Sequence, residues 1–280
     1  MTNIILVDAS YTSFHRFFAT LRWFSFAKKD IYKEHKDNKD YDWSKNEIFF
    51  EKYKKMYLES IINLVGKKVY SDSKVVFCMD CPQAKIWRNK YKEDYKGGRV
   101  DLSEKTNFKP TFKYTYSELI PELVKNNNHI FSIKQANIEG DDIIALSTKY
   151  IRKKYPELKV YLISGDQDFY QLGYSNLYLC DYKKKDHLNF TRQEAKEKLL
   201  EKIIMGDKSD NICSIFPKNI KISKKRKDLI KSNKQELKKY LTEYPDIKKI
   251  FELNKILIDF NNIPEEYHKK VFIKIKNILN

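Results

Sequence analysis

The sequence predicts an α/β fold in which a mostly parallel central sheet is flanked by helices. Short apolar runs alternate along the chain with longer stretches of helical periodicity, as in proteins whose crossover helices join parallel strands. Several runs are apolar throughout, which is typical of strands buried on both faces. Three of the runs are followed by an aspartate near their carboxyl end, at Asp8, Asp80 and Asp166. Open α/β sheets bind ligands at that edge.

The first half of the chain contains two predicted strands and two predicted helices. Residues 3–7 form the first strand, and the aromatic-rich residues 14–26 follow with helical spacing. A capping-box pattern at residues 44–47 precedes a long amphipathic helix over residues 48–65. The second strand covers residues 74–79 and ends at an acid.

The second half continues the alternation and then becomes helical. A short strand over residues 130–133 leads into a helix that begins with the sequence Glu139-Gly-Asp-Asp. The strand over residues 160–163 ends in Ser-Gly, a turn signal, and residues 177–181 form the last predicted strand. Thr and Glu in a capping box then open a helix over residues 191–205. We therefore predict an α/β domain followed by a helical domain.

Composition narrows the class of partner. Lys and Arg total 55 against 38 Asp and Glu, a net charge of +17 in 280 residues. Such an excess favours a polyanion, either nucleic acid or an anionic membrane surface. No apolar run approaches the ~20 residues that span a bilayer, and the amino terminus has the pattern of a strand, not of a signal peptide. We expect a cytoplasmic protein without a membrane role. The CxxC pair Cys78 and Cys81 has no second pair at zinc-site spacing, so packing is its preferred interpretation.

Nine carboxylates are candidate metal ligands. Each alone could be a turn or capping residue, but parallel strands bring their carboxyl ends to one edge of the sheet. Buried carboxylates repel each other unless cations separate them, and an all-oxygen site selects Mg²⁺ or Mn²⁺. Two such ions ~3.5–4 Å apart suit the attack of water on a phosphodiester. The candidates are Asp8, Asp80, Glu139, Asp141, Asp142, Asp166, Asp168, Asp207 and Asp210.

Two basic segments are candidate nucleic-acid contacts. In residues 85–109, Lys and Arg are interleaved with Trp, Tyr and Phe, as expected of a channel in which cations follow phosphates and rings stack on bases. The alternative is a charged surface loop, and the position beside Asp80 favours the channel. Residues 218–239 are also densely basic, which suits contact with a duplex backbone.

The order of these motifs resembles the structure-specific 5′-nucleases, which include flap endonucleases and the 5′-nuclease domain of bacterial DNA polymerase I. The similarity covers nearly the whole chain. It rests on Asp8, Asp80, Trp87-Arg88, Tyr95-Lys96, Glu139-Gly-Asp-Asp, Ser-Gly-Asp166-Gln-Asp168, Gly206-Asp-Lys-Ser-Asp-Asn211, Leu257-Ile-Asp-Phe260 and Ile263-Pro264.

The resemblance implies a PIN-like catalytic domain over residues 1–190, a helical arch at about residues 84–110, and a helix-turn-helix-type duplex-binding domain over residues 191–280. In this family basic arch residues steer the scissile phosphate. Many relatives also bind the duplex backbone through a Gly-x-Gly hairpin and a monovalent ion, where this chain has a lysine-containing segment. The implied catalytic residues are Lys96 and Arg88, and the implied nucleic-acid contacts are Lys85, Lys92, Arg99, Lys218 and Lys221.

The leading hypothesis is a nuclease that uses two or more Mg²⁺ ions, for which Mn²⁺ can substitute. It would cleave 5′ flaps and 5′ ends of duplex DNA or RNA–DNA hybrids, in RNA primer removal, lagging-strand processing or repair. We expect a monomer; single-strand-binding protein and sliding clamp are candidate partners, although little chain follows the last matching segment to serve as a clamp-binding tail.

Two alternatives remain open at this stage. A PIN-type endoribonuclease for single strands would share the acids, but compact PIN ribonucleases lack the extension over residues 205–239. A nucleic-acid-binding protein without catalysis would be expected to lack some of the carboxylates, and every expected position is filled.

Overall fold

The protein is described by a computed structural model, which covers residues 2–98, 106–182, 187–189, 191–217 and 221–280. The strands are β1 (Asn3–Asp8), β2 (Ser73–Met79), β3 (Ile130–Lys134), β4 (Lys159–Ile163), β5 (Leu177–Cys180) and β6 (His187–Asn189). They form a 6-stranded sheet in the order β3-β2-β1-β4-β5-β6. All neighbours pair in parallel except β5 and β6. The predicted mostly parallel α/β sheet is confirmed.

Helices cover both faces of the sheet and make up the carboxyl-terminal region. They are α1 (Ala9–Ala27), α2 (Lys29–His35), α3 (Glu47–Val65), α4 (Lys67–Ser71), α5 (Lys109–Tyr114), α6 (Ile120–Asn126), α7 (Gly140–Lys154), α8 (Arg192–Met205), α9 (Lys224–Ser232), α10 (Lys234–Glu243), α11 (Pro245–Ile258) and α12 (Glu265–Leu279). The predicted capping box of α8 is present, whereas α3 is capped by Asn46, whose side chain accepts from the Phe49 amide.

The central strand β1 shows why the sheet needs helices on both faces. All of its residues are buried, with Ile4 and Leu6 on one face and Ile5 and Val7 on the other. The first face packs on α7 and α12, and the second packs on α1 and α3. Because side chains alternate along a strand, this uninterrupted apolar run requires two separate cores.

The predicted division at residue 190 stays a prediction, and the packing of the carboxyl-terminal helices bears on where it would fall. Helices α8 to α11 do share an apolar cluster of their own, which includes Ile204, Ile230 and Tyr240. Helix α12, however, returns to the sheet and buries Tyr267 and Val271 in the core beside α7. The apolar face of α12 packs there against the α/β layer. The separate helical cluster therefore consists of α8 to α11.

Up to residue 98, the predicted helical arch contains two short 3₁₀ helices, Gln83–Lys85 and Trp87–Lys90, and turns; α5 begins at its far end, at Lys109. Residues 99–105 lie outside the described residues. Three cysteines, Cys78, Cys81 and Cys180, are buried as free thiols, while Cys213 is exposed. Within the described ranges, no helix is long and apolar enough to cross a membrane.

Candidate active site

Aspartates from three adjacent strands meet at the carboxyl edge of the sheet. Asp8 ends β1 and is level with Cys78 of β2, and Val7 is level with Ile163 at the end of β4. Asp80 and Asp166 follow β2 and β4, so parallel pairing brings all three to one edge. They line a cavity of about 1140 Å³ together with Glu139 and Asp141 from the start of α7.

A smaller cavity adjoins the first, because the same Glu139, Asp141 and Asp166 line part of it. Its remaining acids are Asp168, Asp207 and Asp210. The structure therefore brings together eight of the nine predicted ligands around two connected spaces. Asp142 is the exception.

Burial and mutual repulsion make the deep part of this cluster electrostatically unfavourable. Burial, with the charge of Asp80 next in importance, raises the pKa of Asp8 to about 7. Burial and the charges of Asp8 and Asp166 raise the pKa of Asp141 well above its ordinary value. Neighbouring carboxylates that oppose each other's ionisation in this way are stabilised by a bound cation.

Asp80 is fixed by hydrogen bonds to both of its oxygens. Its Oδ1 accepts from the Gly140 amide at 2.6 Å, and its Oδ2 accepts from the Ser10 hydroxyl at 2.5 Å. A Cβ on residue 140 would lie 3.0 Å from the Cys78 carbonyl oxygen, so glycine permits this close approach of α7 to β2. No sequence pattern pointed to Ser10.

Lys96 lies among the acids, and its implied catalytic role stays a prediction. Its ammonium contacts Glu139 Oε1 and is 4.0 Å from Asp210 Oδ2. The backbone of Lys96 has a φ of 61°, and its amide donates to the Asp210 carbonyl at 3.0 Å. Tyr95 donates its hydroxyl to Asp210 Oδ2 at 3.1 Å. Residues 95 and 96 of the predicted arch therefore contact the carboxylates of the cavity directly.

A second lysine, Lys202 of α8, lies between two acids that the sequence placed far apart. Its ammonium contacts Asp168 and is 2.8 Å from Asp207 Oδ2. Burial, followed by the negative charge of Asp166, raises the pKa of Asp168 to about 6. Burial also acts to raise the pKa of Asp207, but hydrogen bonds from Lys202 and Ser209 outweigh it and lower the pKa to about 2. Lys202 was missed because one lysine in a lysine-rich helix carries no distinguishing pattern.

Asp142 lies beneath the two cavities and binds Arg88, which lines the smaller one. Arg88 is 3% exposed, and its guanidinium donates to both Asp142 oxygens, at 2.7 and 2.9 Å, and to Glu139 at 2.7 Å. Asp142 is fully buried and also accepts from the Trp87 indole at 3.0 Å. Arg88 also lines the smaller cavity, so its steering role stays a prediction, whereas Asp142 lines neither cavity and is left out of the proposed ligand set.

The remaining predicted contacts are at the surface or outside the described residues. Lys85 and Lys221 are exposed, and Lys92 pairs with Asp94. Arg99 and Lys218 lie outside the described ranges.

Gly206 sets the turn that carries Asp207 and Asp210. Its φ is +68°, and a Cβ there would lie 2.4 Å from the Ile212 carbonyl oxygen and 2.5 Å from that of Cys213. We expect Gly206→Ala to lower the free energy of unfolding by about 2–3 kcal/mol in urea titrations, through backbone strain and steric overlap. The control is Gly66→Ala, which shares a positive φ of +91° but has no atom within 4 Å of the new Cβ. Equal losses in the two variants would show that the overlap at residue 206 is harmless.

Whether this site fits a metal depends on its donors and their spacing. Among the residues that the structure describes, no three His, Cys, Asp or Glu side chains form a compact metal site. The carboxylates instead line a shared space, and the ammonium groups of Lys96 and Lys202 lie close to four of them. Mg²⁺ usually keeps several waters and binds through only one or two carboxylates, so this spacing and this all-oxygen donor set fit a hydrated ion.

Comparisons with known proteins agree with this architecture. Residues 3–204 match the family model of the 5′-3′ exonuclease, N-terminal resolvase-like domain. No protein of curated function matches the chain by sequence.

Three solved structures illustrate the shared fold. A protein of bacteriophage T5 co-crystallised with metal ions superposes with a TM-score of 0.65 at 19% identity, over 99% of this chain and 100% of that one. A T5 flap endonuclease in a pseudo-enzyme-product complex with DNA and metal ions has a TM-score of 0.62 at 19% identity, over 99% and 98% of the two chains. The T5 5′-exonuclease with bound zinc has a TM-score of 0.60 at 19% identity, over 99% and 100%.

Proposed function

Since the chain belongs to the 5′-3′ exonuclease family, as the match over residues 3–204 shows, we propose that it is a divalent-metal-dependent 5′-nuclease. Its substrates are 5′ flaps and 5′ ends of duplex DNA or RNA–DNA hybrids, as in RNA primer removal, lagging-strand processing or repair. The observation that carries the proposal is the convergence of Asp8, Asp80, Asp141 and Asp166 on one cavity, where burial raises the pKa of two of them.

One metal would be held, directly or through its waters, by carboxylates drawn from these four, and Glu139, Asp168, Asp207 and Asp210 would supply a second position. We propose two or more Mg²⁺ ions, with Mn²⁺ able to substitute, because every proposed ligand is a carboxylate oxygen. When bound, the ions would lower the pKa of a water nucleophile and stabilise charge on the phosphate. The acids themselves orient the ions, and the Ser10 and Gly140 donors keep Asp80 in place.

The proposal that DNA is a substrate is supported by the T5 flap endonuclease complex, which contains DNA and shares this fold. The surface of α9 and α10 supports the duplex-binding part of the proposal. Its exposed cations are Lys224, Lys225, Arg226, Lys234, Lys238 and Lys239, with Lys221 just before α9. A basic face of this kind contacts phosphates without reading sequence.

Cleavage of a 5′-labelled flap duplex, compared with a single strand of the same sequence, tests the proposal. We expect cutting near the flap junction with Mg²⁺, sparing of the free strand, and no cutting with EDTA. Cutting of free RNA alone would support the single-strand ribonuclease, and tight binding without cutting in Mg²⁺ would support a binding protein.

A further prediction concerns Lys96, whose ammonium lies at the cavity beside Glu139. We propose that it turns to the scissile phosphate when substrate binds. Lys96→Ala is then expected to slow single-turnover cleavage by about 10²-fold, the usual effect of removing one donor to developing charge. The control is Lys90→Ala, an exposed cation of the same segment. If both variants cleave at the wild-type rate, Lys96 has no role in the chemical step.

A further inference from the structure

A π-helical segment, Thr115–Leu119, interrupts the helix formed by α5 and α6. π-helical turns are rare, add one residue to a helical turn, and occur frequently at functional sites. Because an α-helix turns by about 100° per residue, the extra residue changes which side chains face the sheet. Here the segment directs Tyr116 towards the carboxyl edge of β2, where the Tyr116 hydroxyl is 2.8 Å from Ser10 Oγ and 3.4 Å from Asp80 Oδ2.

The direction of the hydrogen bonds among Tyr116, Ser10 and Asp80 follows from which hydroxyl proton each bond uses. The Ser10 hydroxyl has one proton, and it donates that proton to Asp80 Oδ2 at 2.5 Å. The short Tyr116–Ser10 contact must then be donated by the tyrosine, with its oxygen 2.8 Å from Ser10 Oγ. The result is a relay from Tyr116 through Ser10 to Asp80.

The relay acts on one of the two oxygens of Asp80. The remaining oxygen of Asp80, Oδ1, accepts from the Gly140 amide at 2.6 Å. Each oxygen of Asp80 is therefore oriented by the protein from one side, and a carboxylate oxygen keeps a further lone pair for a cation.

We propose that Tyr116 is a positioning residue, which acts through Ser10 to hold the Asp80 carboxylate in the orientation that binds metal. The inference rests on the proposed function, since it concerns the same acidic site. Such outer partners fix the direction of a ligand's lone pairs, and their loss usually weakens metal affinity by 10- to 100-fold. The competing explanation is that the π-helical turn serves packing alone, because Thr115 and Leu119 are buried in the core.

Metal affinity of the substrate-free protein separates these explanations. We expect Tyr116→Phe to weaken Mn²⁺ binding in isothermal titration calorimetry by about 10-fold or more, with the ring and its packing retained. The melting temperature without metal is expected to change little. The matched control is Tyr114→Phe, a tyrosine of α5 whose ring contacts Phe50 away from the cavity, and it should bind Mn²⁺ as the wild type does.

A second variant tests the relay itself. Ser10→Ala should weaken Mn²⁺ binding as well, and the double variant should be no weaker than the worse single variant, because both act through one chain of hydrogen bonds. Wild-type affinity in Tyr116→Phe would overturn the inference and leave the proposed function intact. Additive losses in the double variant would overturn the relay. If the wild-type protein itself bound no Mn²⁺, the proposed function and this inference would fail together.

Discussion

Asp80→Asn protein is expected to lose single-turnover cleavage of a flap duplex by about 10³-fold or more in Mg²⁺, while duplex binding stays close to that of the wild type. The substitution keeps the shape of the side chain but removes one negative charge from the proposed metal site. Metal contacts to a phosphodiester supply several kcal/mol of transition-state stabilisation, and each 1.36 kcal/mol corresponds to tenfold in rate. Rates are measured with enzyme in excess, and binding is measured in EDTA.

The control for this prediction lies at the opposite end of the same strand. Asp72 immediately precedes β2 and is exposed, whereas Asp80 immediately follows β2 at the cavity. Asp72→Asn makes the same chemical change and should cleave normally. Normal cleavage by the Asp80 variant would remove the residue from the proposed ligand set, and equal loss in both variants would indicate a non-specific effect of charge.

Arg88→Met is expected to lower the free energy of unfolding by about 3–5 kcal/mol, the usual cost of leaving a buried charge without its partner. The fully buried Asp142 would lose both guanidinium bonds, and the Leu257 carbonyl of α11 would lose the Nε donor now at 2.8 Å. Equilibrium unfolding in urea measures the loss.

A double substitution distinguishes the ion pair from simple loss of packing. Arg88→Met with Asp142→Leu removes both charges, so its destabilisation should be smaller than the sum of the two single losses. A loss below about 1 kcal/mol in the single variant, or strict additivity, would contradict a strong buried pair.

The sheet was predictable because its signals are local. The apolar run of β1 and the acids that follow β1, β2 and β4 can be read within a few neighbouring residues. The position of α12 was not predictable in this way. Its apolar stripe identifies a helix with one buried face, but which surface covers that face depends on contacts with β3 and α7, far away in the sequence.

The candidate site shows the same limit at the level of single side chains. Asp141 and Asp142 are adjacent, yet successive helical residues point about 100° apart, so one lines the cavity and the other lies beneath it. The contact with Arg88, 54 residues away, identifies Asp142 as the residue beneath the cavity. Ser10, Tyr116 and Lys202 were missed for a related reason, since their roles arise from distances across the fold and not from sequence spacing.

Anomalous diffraction from crystals grown with Mn²⁺ tests most directly whether the carboxyl edge of the sheet is a metal-dependent catalytic centre. We predict manganese in the cavity, with ligands drawn from Asp8, Asp80, Asp141 and Asp166, and no such ion in crystals of the Asp80→Asn protein. A metal-free edge at a Mn²⁺ concentration that supports cleavage, or manganese bound only elsewhere, would contradict this assignment.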